Sequence, residues 1–117
     1  MTIAELAKDF TDLLKQGNSE AAASKYNADD VVSYEAMEGP MAVSKGKEAL
    51  KQKSVWWQAN HEVHSATVEG PFVNNNQFAL RFKYDITPKE TGKRVTMDEV
   101  GVYTVKDGKI VTERFYY

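Results

Sequence analysis

Thiol chemistry is closed to this chain. It contains no cysteine, so thiolate zinc sites, disulfide frameworks and cysteine nucleophiles are all excluded. Its two histidines fall in His61-Glu62-Val63-His64, one residue short of the H-E-x-x-H spacing that sets two imidazoles on one helix face. On a strand, residues three apart point to opposite sides, so this pair cannot share an ion either. No metal site is expected; the histidines read as surface or rim residues, with His64 a candidate acid–base group at a cavity mouth. What remains for catalysis is the carboxylates, 17 in all. Carboxylates confined in an apolar cup cannot all ionise, so one stays protonated as an acid while another serves as a base near neutral pH. Such a pair moves a proton between carbon and oxygen, or activates water, without a cofactor. The plainer reading is that these groups meet solvent, or Arg81, Lys83 or Arg114 in ordinary salt bridges.

Trp56 and Trp57 stand near Lys45, Lys47, Lys51 and Lys53, a mixture that imitates a nucleic-acid-binding face. The simpler account makes the lysines a solvated helix face and packs one Trp into the core or over a cavity as a lid. Gly39-Pro40 and Gly70-Pro71 are turn punctuation without a phosphate-loop signal.

The elements that must position these groups are legible from spacing. Ile3, Leu6, Ala7, Phe10, Leu13 and Leu14 recur at three- and four-residue intervals, predicting a one-sided helix over 3–16 that Gly17 ends. Asn18 or Ser19 starts a short second helix through Tyr26, and Asp29-Asp30 breaks it. Val31 to Glu35 read as a strand. Ser44 is a cap for a third helix that places Leu50, Ser54 and Trp57 on one face. From His61 the helical period gives way to alternation, with strands predicted over 61–70, 77–87, 94–105 and 109–117. The turns between them are Asn74–Asn76, Pro88–Gly92 and the hairpin signal Asp107-Gly108. Helices followed by a meander, with one strand inserted among the helices, predict an α+β layer structure whose curved sheet wraps the helices.

A chain of 117 residues, 42% hydrophobic and 11% aromatic, is one domain with enough apolar material for a core. A formal charge of −2 with scattered lysines argues against a nucleic-acid partner. No apolar run approaches the ~18 residues of a membrane span, and the first ten residues read as an amphipathic helix rather than a signal peptide, so a soluble cytoplasmic protein is expected.

Strand parity assigns the interior. Phe78, Leu80, Phe82, Tyr84 and Ile86 share one face of 77–87, while Ala79, Arg81, Lys83 and Asp85 share the other. In 94–105 the set Val95, Met97, Glu99, Gly101, Tyr103, Val105 alternates with Thr96, Asp98, Val100, Val102, Thr104. Both sets contain apolar groups, and parity leaves either face as the inner one. An outer face carrying Val100 and Val102 suggests a dimer that buries it, against the alternative of ordinary β-formers on a half-exposed surface.

The series helix, Gly17, helix, Tyr26-Asn-Ala-Asp29-Asp30-Val-Val-Ser-Tyr-Glu35, then Lys45-Gly46-Lys-Glu-Ala-Leu50, then strands ending Val105-Lys-Asp-Gly108-Lys-Ile-Val-Thr-Glu-Arg-Phe-Tyr-Tyr117, resembles the nuclear transport factor 2-like superfamily. Within it the SnoaL-like and ketosteroid isomerase-like branch is most similar, over essentially the whole chain. The resemblance implies a cystatin-like α+β fold, a cone-shaped barrel of strongly curved antiparallel sheet wrapped around three N-terminal helices. It also implies an apolar cavity and a homodimer through the outer sheet face. The superfamily hosts isomerases, cyclases, hydrolases and dehydratases alongside members of no known activity, so the fold does not give the function. In the isomerase-like pattern the general base ends the first strand, five residues after the Asp-Asp pair, where this chain has Glu35. The oxyanion-hole Tyr falls where Phe10 stands and the protonated Asp where Gly101 stands; neither donates a hydrogen bond, which disfavours steroid isomerisation itself.

The same resemblance turns Glu99 and Glu113 toward the cavity as acid partners or orienting groups, along with Phe82, Tyr84, Met97, Tyr103 and Tyr117. Phe10, Leu14, Tyr34, Trp57 and His64 complete the expected lining. The implied function is binding, with isomerisation, cyclisation or hydration, of a small hydrophobic carbonyl compound by cofactor-free carboxylate chemistry. The alternative is a non-catalytic ligand-binding or assembly module of the same fold.

Overall fold

The computed structural model describes all residues from Met1 to Tyr117. Helix α1 (Ile3–Lys15) opens on a capping box, with the Glu5 amide donating to Thr2 Oγ1 at 3.2 Å and the Thr2 amide to Glu5 Oε1 at 2.9 Å. It buries Leu6, Ala7, Phe10 and Thr11 on one stripe. Its end is a Schellman motif: the amides of Gly17 and Asn18 bond the carbonyls of Leu14 and Leu13, with Gly17 at φ 79°. Helix α2 (Ser19–Tyr26) then leads directly into strand β1 (Asn27–Tyr34), β2 (Val43–Lys45), helix α3 (Lys47–Asn60) and strands β3 (His61–Asn74), β4 (Gln77–Pro88), β5 (Val95–Lys106) and β6 (Lys109–Tyr116).

Three expectations are corrected. Helix α2 ends at Tyr26 and strand β1 begins at Asn27, so Asp29 and Asp30 lie within the strand rather than between the helix and a strand that starts at Val31. Ser44 does not cap α3; it pairs with Ser33 in the unforeseen strand β2, and the helix starts one residue after Gly46, which turns at φ 92°. The sheet is also mixed, not wholly antiparallel, in the order β2-β1-β6-β5-β4-β3. After β1 the chain crosses through α3 to the far edge, and the four-strand meander returns to lay β6 parallel to β1. The two edges stay apart, so the sheet is curled rather than closed into a barrel.

The core lies where α1 and α2 enter the concave face. Phe10 meets the rings of Tyr103 and Phe78 edge-on at centroid distances of 5.2 and 5.8 Å, and Leu6, Leu80 and Ile110 are almost fully buried around them. The β5 ambiguity resolves through register: Glu99 pairs with buried Phe82, Gly101 with buried Leu80 and Tyr103 with buried Phe78. The inner face is therefore Met97, Glu99, Gly101, Tyr103. The outer face carries cross-strand ion pairs, Arg81 with Asp98 at 2.7 Å and Lys83 with Glu69 at 3.6 Å. No helix is long and apolar enough to cross a membrane.

Candidate active site

Two local features aim carboxylates into the curl of the sheet. On β1, Val31 and Ser33 are buried, and the same parity carries Glu35 inward just past the strand end, where its amide bonds the Ala42 carbonyl at 2.7 Å. On β6, a register shift opposite Thr104 and Val105 lets Ile110 and Glu113 both face inward although they are three residues apart. Glu113 thus sits between Tyr103 of β5 and Ser33 of β1.

A lysine from α3 joins them. Lys53 Nζ donates to Glu35 Oε1 at 2.9 Å and to Ser33 Oγ at 2.7 Å, and it lies 5.6 Å from the Phe115 ring centre. The Lys53 and Glu35 side chains are only 17% and 16% exposed, so this ion pair is largely out of water. Tyr117 donates its hydroxyl to the other Glu35 oxygen at 3.0 Å, and Ser33 stands opposite Glu113 in the β1–β6 register. None of these bonds engages Glu99.

Electrostatics follow from that geometry. Burial, reinforced by the Glu35 charge, pushes Glu99 up to about 7, with Lys53 opposing. Burial also raises Glu113, while Lys53 and the Ser33 hydrogen bond pull it back. The Tyr84 and Tyr103 hydroxyls are raised by burial and then by neighbouring carboxylates, so both are neutral. The arrangement can supply a neutral carboxylic acid at Glu99 and a carboxylate at Glu35 in one half-dry cup, as acid–base chemistry requires.

The expected residues divide clearly. Glu35, Glu99 and Glu113 lie on the concave side of the sheet with Phe82, Tyr84, Met97 and Tyr103, and Tyr117 meets Glu35 there. Trp57 stacks on His61 at 4.4 Å and leans on Tyr84 at 5.6 Å, forming part of the wall. Phe10 lies within the core against Tyr103, and Leu14 packs partly buried beside that core. Tyr34 is corrected: its opposite parity puts it on the outer face, with the Arg114 guanidinium 4.1 Å from its ring centre. His64 is corrected too; it occupies a bulge of β3 and bonds Thr87 Oγ1 at 2.7 Å on the outer face, away from the cup. Gly101 is crowded, since a Cβ there would lie 3.0 Å from the Phe115 ring, which an acid at this position would have to displace.

Lys53 and Ser33 are the functional groups the sequence reading missed, Lys53 having been assigned to a solvated face. Its spacing carried the signal, three residues after buried Leu50 and four before Trp57, hence on the inner side of α3. Two surface concavities lie outside the cup. One of about 350 Å³ is lined by Ser65, Thr67, Lys83, Asp85, Thr96 and Asp98 between outer-face ion pairs, together with Tyr84 and Met97, and one of about 520 Å³ sits at the α1–α2 turn.

Comparison with known proteins agrees with this architecture. A crystal structure from Mesorhizobium loti is 77% identical, covers 100% of both chains and superposes with a TM-score of 0.98. That protein is provisionally designated a SnoaL-like polyketide cyclase and, in brackets, a carbohydrate phosphatase. A Catenulispora acidiphila protein with a ketosteroid isomerase-like fold, crystallised with trimethylamine, is 17% identical over 99% of this chain and 87% of its own, with a TM-score of 0.75. A Xanthomonas campestris protein with a cystatin-like fold is 15% identical over 99% and 90%, with a TM-score of 0.79. These two share the fold alone. No curated protein matches the chain. The SnoaL-like domain model matches residues 1–117, and with that match, the curled sheet and the 77% identical solved relative, the chain belongs to the SnoaL-like domain family.

Proposed function

We propose that this protein is a cofactor-independent acid–base catalyst acting on a small hydrophobic carbonyl compound in the Glu35–Glu99 cup. The observation that carries the reading is Glu99: a half-buried carboxyl, protonated up to about pH 7, left without a partner beside an ion-paired carboxylate. Glu35 takes a proton from the carbon next to the carbonyl while Glu99 gives its proton to the carbonyl oxygen, producing an enol. Return of a proton to another carbon isomerises the compound; attack of the enol carbon on a second carbonyl cyclises it. The cyclase designation of the 77% identical relative supports this class, since aldol closure begins with the same proton abstraction. Phe82, Tyr84 and Trp57 supply the apolar walls.

The test is exchange of the α-protons of cyclic ketones and β-diketones with D2O, followed by proton NMR. Enzyme-dependent exchange is expected, with Glu99→Gln and Glu35→Gln each lowering it by about 10²-fold or more. Absence of exchange across the panel, with wild-type protein folded, rejects the reading.

The commitment of both Glu35 oxygens to Lys53 and Tyr117 favours a second reading, a ligand-binding module in which these groups only hold the cup together. Saturable binding of an apolar fluorophore without exchange identifies that case. We also propose that the protein is a homodimer through the outer sheet face, where exposed Val100 and Tyr116 sit side by side in register.

A further inference from the structure

We infer that Lys53 is the positioning residue of this cup, holding Glu35 as the carboxylate directly and fixing Glu113 through Ser33, so that Glu99 alone is free to exchange a proton with a ligand. The inference rests on the acid–base reading of the cup, yet it concerns a group from the helix layer that the carboxylate pattern does not include.

One ammonium makes both contacts: Nζ lies 2.9 Å from Glu35 Oε1 and 2.7 Å from Ser33 Oγ. Ser33 therefore accepts from Lys53, which leaves its own proton free beside Glu113, its register partner on β6. Three elements are tied by this path: α3 through Lys53, β1 through Ser33 and Glu35, and β6 through Glu113. Tyr117 closes it from the chain end by donating to Glu35 Oε2 at 3.0 Å. The ammonium is also the only cation within the cup. The carboxyls it acts on are Glu35 from the end of β1, Glu99 from β5 and Glu113 from β6; Tyr117 meets Glu35, Tyr84 of β4 and Tyr103 of β5 neighbour the same carboxyls, and His61 of β3 is turned against Trp57. Its charge stabilises ionised Glu99 and Glu113 alike, opposing the burial that raises them. A lysine largely out of water with two fixed acceptors has little freedom to reach a ligand itself, so its action is through the carboxyls it holds.

Titration of the glutamate side-chain carboxyl resonances in 13C-labelled protein tests this without any substrate, with Glu35→Gln, Glu99→Gln and Glu113→Gln used to assign the signals. In Lys53→Met the Glu99 and Glu113 midpoints are expected to move to higher pH than in wild type, and in Lys53→Arg to return toward it. Ser33→Ala, which leaves the ion pair in place, is expected to raise Glu113 and leave Glu99 unmoved. Circular dichroism confirms that each variant is folded; should Lys53→Met not fold, Lys53→Gln and Ser33→Ala carry the same comparison. Unchanged Glu99 and Glu113 midpoints in folded Lys53 variants overturn the inference. Failure of the exchange assay with shifted midpoints rejects the catalytic reading and leaves the Lys53 role standing, so the two failures are distinguishable.

Discussion

A carboxyl that the fold keeps neutral makes stability depend on pH in the sense opposite to a salt-bridged one. Glu99 is raised from 4.5 to about 7 by burial and then by the Glu35 charge, so the folded state binds its proton more tightly than the unfolded chain. Its contribution is most favourable below pH 4.5 and is lost as pH rises through 4.5 to about 7, above which a constant penalty remains. Glu99→Gln imitates the neutral form. Discounted for the water around a half-buried group, the gain at pH 8 is on the order of 1 kcal/mol, about 4 °C in Tm for a domain of this size. Thermal melts are expected to show that gain at pH 8 and almost none at pH 4.5, while the same variant loses exchange activity. A variant more stable and less active marks a residue retained for chemistry rather than for the fold. Equal Tm values at pH 8 would instead mean that Glu99 titrates like an exposed side chain.

At the scale of elements, Gly101 explains why the isomerase-like acid is absent. A Cβ there would lie 3.0 Å from Phe115 Cε1 and 3.1 Å from Tyr103 Cε2, so the ring of Phe115 fills the space an aspartate would need. Gly101→Asp is expected to cost about 1–3 kcal/mol by overpacking, measured by urea unfolding, and Phe115→Ala in the same chain to recover part of it. A neutral Gly101→Asp would mean that Phe115 turns away freely. Much of this level was legible beforehand. The α1 stripe, Gly17, the Asn75 and Asp107-Gly108 turns and the four meander strands follow from local chemistry, because capping, φ > 0 and alternation each leave a mark within a few residues. Strand β2 is three residues long and pairs only through its contact with β1, so no local pattern marks it. The direction of β6 against β1 is set by the whole path of the chain. In the site, Glu35 followed from resemblance and parity, and Tyr34 failed on the same parity by one position. Lys53 was hidden because a lysine on a helix is usually solvated, and what buries this one is a carboxylate 18 positions earlier in the sequence.

For the molecule as a whole, the curled sheet leaves two edges and one broad outer face, and the edges are poor surfaces for association. Strand β2 is too short to template a partner, and β3 is broken by bulges at His64 and around Gly70-Pro71, with Glu62 and Glu69 along it. The outer face is different. Arg81 and Lys83 are matched within the sheet by Asp98 and Glu69, which leaves little net charge to repel a second copy. Beside them Val100 is 37% exposed and Tyr116 53% exposed, as paired neighbours on β5 and β6. An isologous pairing sets such a patch against its own copy, so a charge placed there meets its like across the axis. Sedimentation equilibrium is expected to give about twice the 13.2 kDa chain mass for wild type. Val100→Asp is expected to weaken the dimer by about tenfold or more and Val55→Asp, on the exposed side of α3, to leave it unchanged. A wild-type monomer at micromolar concentration removes the dimer, and a Val55→Asp effect equal to that of Val100→Asp moves the interface to the helix layer.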